Sequence, residues 1–232
     1  MRFRDRLIRT LTAAAPVLEV PGVVVIGSQV PNLLEPNAAS TLVVSEDVDI
    51  GVPLAAHPFV KAALAQVRGF QPSKEEPSVW VPNGPELIEL NFVGMGTGDP
   101  LDTFVFEDPD LPLMVFGPLS FLSAGLVVDA DGLRVPLPKT AGLLIEKLLT
   151  DRSAEKGDRD RLVVLGLLLV ARPGDEEELV ALYRDLPPDL QYATRSNLGV
   201  LSLMGPIAGM PDPTVHRAVV ARLLERLEEA SG

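Results

Sequence analysis

The spacing of apolar residues changes near residue 137 of the chain. Before that point, short apolar or alternating runs are bounded by Gly, Pro, Asn and Asp, a pattern typical of strands joined by turns. After it, apolar residues recur every three to four positions, which predicts helices. We therefore predict an α/β (α+β) protein: a core with a mixed β-sheet over residues 1–137, followed by a C-terminal helical bundle over residues 138–232.

Individual elements follow from the same pattern. Before residue 138 it predicts a helix over 2–14, a buried strand over 22–26, β-structure over 41–44 and 48–52, a helix over 58–67, a hairpin of 78–81 with 87–93, a strand over 113–116, and a hairpin of 126–128 with 133–135. Residues 94–112 are rich in Gly, Asp and Pro and predict mainly loop. The predicted later helices cover 140–150, 158–171, 175–184, 187–203 and 213–230.

Composition narrows the class of protein. Hydrophobic residues make up 47% of the 232 positions, enough for a sizeable core. The chain has no cysteine and only two histidines, which excludes disulfides, thiolate zinc sites and a cysteine nucleophile. A net charge of −12 disfavours a broad nucleic-acid-binding face. The apolar run over 162–171 is about half of what a bilayer span needs, and no export signal is visible, so we expect a cytoplasmic protein without membrane contact.

The strongest candidate for chemistry is a pair of aspartates on a predicted strand. Residues i and i+2 of a strand point to the same face, so Asp47 and Asp49 should project together from an otherwise apolar segment. Two like charges held this close are costly unless a cation lies between them. Mg²⁺ takes hard oxygen ligands of this kind. The pattern therefore predicts a Mg²⁺ site with Asp47 and Asp49 as ligands.

Two further segments extend this candidate site. Glu89 on a later predicted strand offers a third carboxylate, with Asn91 on the same face as a weaker alternative ligand. Glu89 alone is equally well explained as an ordinary strand-edge carboxylate. The turn Gly27-Ser28 can direct backbone N–H groups and a hydroxyl towards a phosphate.

This order of residues resembles a known family. A Gly-Ser turn, an Asp-x-Asp strand and a third acid on a later strand are similar to the polymerase-β-like nucleotidyltransferase fold. Downstream residues look like the stretch that follows the core in its AbiEii-type branch, which includes bacterial abortive-infection toxins. Those downstream residues are Val135, Pro136, Leu137, Pro138, Lys147, Leu148, Arg152, Lys156, Asp158 and Asp160. The resemblance covers residues 22–165.

The resemblance implies a Mg²⁺-dependent nucleotidyltransferase that moves an NMP from an NTP to a hydroxyl acceptor, with release of pyrophosphate. The acceptor could be tRNA, a protein or a small molecule, and an antitoxin-like protein is a further implied partner. The implied site residues are Asp47, Asp49 and Glu89 for catalysis and metal binding, and Gly27, Ser28 and Lys147 for the nucleotide. On helix spacing alone, Lys147 and Arg152 are more typical of a solvated face.

Departures from the family pattern leave alternative functions open. Glu89 stands where the family usually has Asp, Val43 and Val44 stand where an arginine often occurs, and Gln29 and Pro31 interrupt the helix expected after the turn. One alternative is a catalytically degenerate protein that keeps the fold as a binding or regulatory module. Another is a toxin-like effector of a toxin–antitoxin pair. A basic cluster keeps a nucleic-acid acceptor open; it consists of Lys139, Lys147, Arg152, Lys156, Arg159 and Arg161.

Overall fold

The structure, a computed structural model, describes residues 3–35, 45–96, 99–100, 102–150 and 154–231. The chain divides into two compact units. The first comprises Met1–Gln29 and Ser45–Pro138, and the second comprises Val30–Val44 and Lys139–Gly232. We call them the sheet unit and the helical unit, and number helices and strands along the whole chain.

The sheet unit contains a mixed β-sheet, a two-stranded sheet and a few helices. Its helices are α1 (Phe3–Ala13), α2 (Ala15–Leu18) and α4 (His57–Leu64). Its strands are β1 (Val24–Ile26), β2 (Asp47–Pro53), β3 (Phe70–Pro72), β4 (Val79–Pro82), β5 (Glu89–Met95), β6 (Thr103–Phe106), β7 (Leu113–Phe116), β8 (Ala124–Ala130) and β9 (Leu133–Pro138). Short 3₁₀ turns at Gly27–Gln29, Leu54–Ala56 and Gly117–Phe121 follow β1, β2 and β7.

Strand β5 lies at the centre of the larger sheet. The order is β1-β2-β5-β4-β3, with β7 also beside β5 and β6 beside β7. Strand β5 runs parallel to β2 and β7 and antiparallel to β4. Strand β2 pairs along one edge of β5. On the other edge, β4 pairs with the first half of β5 and β7 with the second half, so both edges are occupied by neighbouring strands. Strands β8 and β9 form the separate antiparallel sheet.

Alternation of side chains fixes which face of β2 and β5 is buried. On β2, Val48, Ile50 and Val52 are completely buried, while Asp47 and Asp49 on the other face are partly exposed. On β5, Leu90 and Phe92 are buried in the same way. Because paired residues of neighbouring strands point to the same face, β2 and β5 share one apolar face. Their opposite face carries polar side chains at the N-terminal ends of both strands.

The helical unit consists of amphipathic and buried helices around α5. Its helices are α3 (Val30–Leu34), α5 (Thr140–Leu149), α6 (Ala154–Val170), α7 (Pro173–Arg184), α8 (Pro188–Leu203) and α9 (Arg217–Ala230). Helix α5 packs against α6, α7 and α8, and α3 packs against α6. A Cβ at Gly166 would lie 3.3 Å from Pro31 Cγ, so the absence of a side chain at Gly166 lets α3 approach α6 closely.

The predicted fold class is confirmed: helices and a mixed sheet are followed by C-terminal helices. Strands β3 and β6 were not expected, and β6 lies inside the segment predicted as loop. Three of its four residues are exposed, so β6 lacks the alternation that identifies a half-buried strand. The β-structure predicted over 41–44 lies outside the described residues. Among the helices that the structure describes, none is long and apolar enough to cross a membrane.

Candidate functional site

The predicted acidic residues lie side by side at the beginning of β2 and β5. In the parallel register of these strands, Asp47 pairs with Glu89 and Asp49 pairs with Asn91. Pairing partners in adjacent strands present their side chains on the same face, so all four belong to the face that is not packed by Ile50 and its neighbours. The sequence predicted which residues share a face within each strand, and the structure makes the two strands neighbours.

The Asn91 amide lies between the two aspartates. Its Nδ2 donates long hydrogen bonds to Asp47 Oδ2 at 3.3 Å and to Asp49 Oδ1 at 3.4 Å. These contacts place partial positive charge where the two carboxylates create a strongly negative potential. Its Oδ1, in contrast, is buried and has no hydrogen-bond partner among the described residues. A buried amide oxygen without a partner is uncommon and costs desolvation free energy.

Two polar side chains donate hydrogen bonds to Asp47. The hydroxyl of Ser45 donates a hydrogen bond to Asp47 Oδ1. Gln29, which is completely buried, donates from Nε2 to the backbone oxygen of Asp47 at 2.8 Å. The first contact orients the carboxylate, and the second holds the 3₁₀ turn after β1 against the start of β2.

Gly27 brings that turn directly against Asp49. Ile26, the last residue of β1, pairs with Asp49, and Gly27 follows with a φ of 74°. An added Cβ at Gly27 would lie only 2.4 Å from Asp49 Oδ2. Glycine is therefore required here both for the backbone conformation and for the close approach of the carboxylate. Ser28 comes next in the same turn, so the predicted Gly27-Ser28 segment is adjacent to Asp49.

Glu89 is in an unfavourable environment for a charged carboxylate. Partial burial raises the pKa of Glu89, and the nearby negative charges of Asp47 and Glu76 raise it further. Glu76 is an exposed residue in the charged loop before β4, so nothing in the sequence marks it as a neighbour of Glu89.

The donor set at this face fits a hard cation held by fewer than three carboxylates. Among the described residues, no three His, Cys, Asp or Glu side chains converge closely enough to hold a metal ion, so Asp47, Asp49 and Glu89 do not form a ready three-carboxylate site. However, Asp47 and Asp49 both accept hydrogen bonds from Asn91 Nδ2, and the partnerless Oδ1 at the other end of this amide is an oxygen of suitable chemistry.

Lys147, the remaining predicted nucleotide-binding residue, belongs to the helical unit. It is buried in α5, with Nζ 3.4 Å from Glu146 Oε2 and 3.6 Å from Asp160 Oδ1. The expectation of a solvated position is therefore wrong for Lys147, while Arg152 lies outside the described residues. Helix spacing failed here because nearly all of α5, including its charged residues, is covered by the surrounding helices.

Other described members of the basic cluster also form ion pairs. Lys139 Nζ lies 2.7 Å from Glu178 Oε1, and Arg161 contacts Asp158 at 3.0 Å. Arg161 also donates to the side chain of Asn197. These contacts leave less unpaired positive charge for phosphate groups than the sequence suggested.

Some residues of the site were not predicted. Gln29 entered the sequence argument only as an interruption of a helix, yet its buried amide attaches the turn to β2. A glutamine directly after a Gly-Ser pair is a weak signal, because its partner is a backbone oxygen that any sequence provides. No protein-family model matches the chain, and no curated protein is significantly similar to it.

Proposed function

We propose that this protein is a Mg²⁺-dependent nucleotidyltransferase that transfers an NMP from an NTP to a hydroxyl acceptor. The observation that supports this most is the in-register placement of Asp47 and Asp49 beside Glu89 and Asn91, with Gly27 directly against Asp49. The resemblance of the Gly-Ser, Asp-x-Asp and later acidic residues to the polymerase-β-like nucleotidyltransferases supplies the reaction type.

In this proposal the aspartates hold the cation and Gly27-Ser28 faces the phosphates. When bound, Mg²⁺ would neutralise phosphate charge and orient the attacking and leaving oxygens. Asp47, supported by Ser45 and Gln29, needs little rearrangement to act as a ligand. Because Gly27 has no side chain, the Asp49 carboxylate lies directly against the turn, so a cation held by Asp49 would lie close to phosphates bound at Gly27-Ser28.

Glu89 is the candidate general base. The acceptor hydroxyl oxygen would form a bond to the α-phosphorus of the NTP, while the bond from that phosphorus to the pyrophosphate oxygen breaks. The hydroxyl proton would pass to a Glu89 carboxylate oxygen. Burial and the neighbouring acids raise the pKa of Glu89, which makes this carboxylate a better proton acceptor.

The ion pairs of the basic cluster favour a protein or small-molecule acceptor over tRNA. Lys139, Lys147 and Arg161 all contact carboxylates within the helical unit. A tRNA acceptor would have to displace these carboxylates or use other cations, against a net chain charge of −12. Lys147, in particular, could contact a nucleotide only after leaving Glu146.

Calorimetric titration with each of the four NTPs, with and without Mg²⁺, tests the donor site. We expect Mg²⁺-dependent binding of at least one NTP by the wild type and its loss in Asp47→Asn. Asp102→Asn is the matched control, because Asp102 is an exposed aspartate of the same unit. Absence of NTP binding by the wild type would contradict the proposal.

A degenerate nucleotide-binding module is the second candidate. It is favoured by the absence of three converging carboxylates among the described residues. The same titration separates the two candidates: a module that no longer uses the metal would bind NTP equally well in the wild type and in Asp47→Asn. Pyrophosphate release from NTP and a bacterial extract that is greater with the wild type than with Asp47→Asn would be expected only of the enzyme.

A further inference from the structure

The Asn91 amide satisfies only half of its hydrogen-bonding capacity. Its Nδ2 has two carboxylate acceptors, whereas its Oδ1 is buried without a partner in the part of the chain that the structure describes. A well-satisfied structural asparagine would use both ends of the amide. The arrangement is instead one-sided, and its occupied side faces the two aspartates.

We propose that Asn91 exchanges the two ends of its amide when a divalent cation binds. Without the cation, Nδ2 bridges Asp47 and Asp49; with it, the amide turns over and Oδ1 becomes the third oxygen ligand beside the two aspartates. This inference rests on the proposed function for the presence of a cation, and it assigns to Asn91 the ligand position that the sequence argument gave to Glu89.

The exchange requires no repacking of neighbouring side chains. The oxygen and nitrogen of an amide have nearly the same size, and the terminal torsion of asparagine is broad and roughly two-fold. Turning the amide therefore changes hydrogen bonding without changing the packing around β5. The cation replaces the N–H donors as the positive charge between Asp47 and Asp49. Oδ1 gains the partner that it lacks, whereas Nδ2 gives up its two carboxylate acceptors, so ligation of the cation by Oδ1 must outweigh that loss.

The exchange also explains why Glu89 is not needed as a metal ligand. A site made of two carboxylates and one neutral oxygen balances the charge of a divalent cation, so it requires no third carboxylate. Glu89, paired in register with Asp47 but outside any three-acid group, is then available to accept a proton. Its role as a base and the role of Asn91 as a ligand are thus separate.

Manganese binding measured by electron paramagnetic resonance tests the ligand assignment. We expect Asn91→Leu, which keeps the branching and the number of side-chain heavy atoms without an oxygen, to weaken Mn²⁺ binding by about 10- to 100-fold. If Asn91 only bridges the aspartates, its removal would free them and Mn²⁺ would bind as tightly or more tightly. The direction of the change therefore distinguishes a ligand from a competing hydrogen-bond donor.

Asn91→Asp provides an independent check with a thermal readout. The additional carboxylate should lower the melting temperature of the metal-free protein through repulsion by its neighbours, and the stabilisation by Mn²⁺ should increase. Asn83→Asp is the matched control, because Asn83 lies exposed in the turn between β4 and β5. The control should change neither quantity by more than a small amount.

The wild-type protein offers a test that requires no stable variant. The side-chain amide protons of Asn91, assigned by their absence from the spectrum of Asn91→Asp, should shift when Mg²⁺ is added, because they leave two carboxylates. Unshifted protons in Mg²⁺-bound protein, or equal Mn²⁺ affinity of Asn91→Leu and wild type, would overturn this inference alone. A greater loss of Mn²⁺ affinity in Glu89→Gln than in Asn91→Leu would also overturn it. Failure of the wild type to bind Mn²⁺ would overturn the proposed function as well.

Discussion

Replacing Gly27 by alanine tests the close contact on which the candidate site depends. Gly27 combines a φ of 74° with a position at which a Cβ would lie 2.4 Å from Asp49 Oδ2. Rotation of the carboxylate would not remove the crowding, because Asp49 Cγ and Cβ would be only 3.3 and 3.4 Å away. The substitution must therefore displace the Asp49 side chain, the turn or the start of β2.

The chain provides a control that separates the two costs. Gly132, in the turn between β8 and β9, has a φ of 89°, and a Cβ there would meet no atom within 4 Å. Gly132→Ala should thus carry only the backbone cost, about 1–2 kcal/mol. Gly27→Ala should add the cost of overpacking, about 1–3 kcal/mol. The free energy of unfolding should fall further for Gly27→Ala by this second amount.

Tryptophan fluorescence during urea unfolding is the appropriate assay. Trp80 is the only tryptophan of the chain, lies in β4 and packs edge-on against Phe92, so its emission reports the sheet unit. Calorimetry of the folded variants should also show weaker Mg²⁺-dependent NTP binding for Gly27→Ala than for Gly132→Ala. Equal destabilisation by the two substitutions, with equal binding, would refute the close approach of Gly27 to Asp49.

Two further predictions concern charged groups away from the candidate site. Lys147→Met should destabilise the helical unit by about 3 kcal/mol, since it leaves buried Glu146 without its cation. Lys139→Met, at an exposed ion pair, should cost under about 1 kcal/mol. Thermal unfolding followed by circular dichroism compares the two variants, and similar melting temperatures would contradict the prediction. Hydrogen bonds from Lys61 lower the pKa of Asp108 to about 2, below its ordinary value of 3.8. The resulting stabilisation is complete above about pH 4 and is lost as the pH falls through 2. Melting temperatures of wild type and Asp108→Asn should accordingly differ at pH 5 and converge near pH 2. A difference in melting temperature that stays constant over this pH range would contradict the lowered pKa of Asp108.

Local patterns in the sequence were sufficient for the elements that bury one face. The alternation of Asp47, Val48, Asp49 and Ile50 predicts a half-buried strand with its acids on one side, and the structure has β2 from Asp47 to Pro53. The helices after residue 138 were recognised from their spacing, including the one from Pro188 to Leu203. These features depend on contacts that repeat every two or every three to four residues, so they are visible without knowledge of the partner elements.

The edge strand β6 and the buried charge of Lys147 were harder to predict, because neither follows from a periodic pattern in the sequence. Strand β6 pairs only with β7 and exposes most of its side chains, so pairing rather than periodicity defines it. Lys147 has the sequence context of a surface residue, but helices from distant parts of the chain cover it together with Glu146. Burial of a charged group depends on partners that lie far away in sequence.

For the candidate site, the sequence alone determined that Asp47 and Asp49 share a face, as do Glu89 and Asn91, because the side-chain period of a strand is two residues. Tertiary structure decided that these pairs are neighbours, since the register of β2 with β5 joins segments about 40 residues apart. It also decided that an amide, and not a third carboxylate, lies between the aspartates. Residue spacing sets the direction of a side chain along its own strand, whereas the distance between atoms of two strands is set by how the whole sheet pairs and packs.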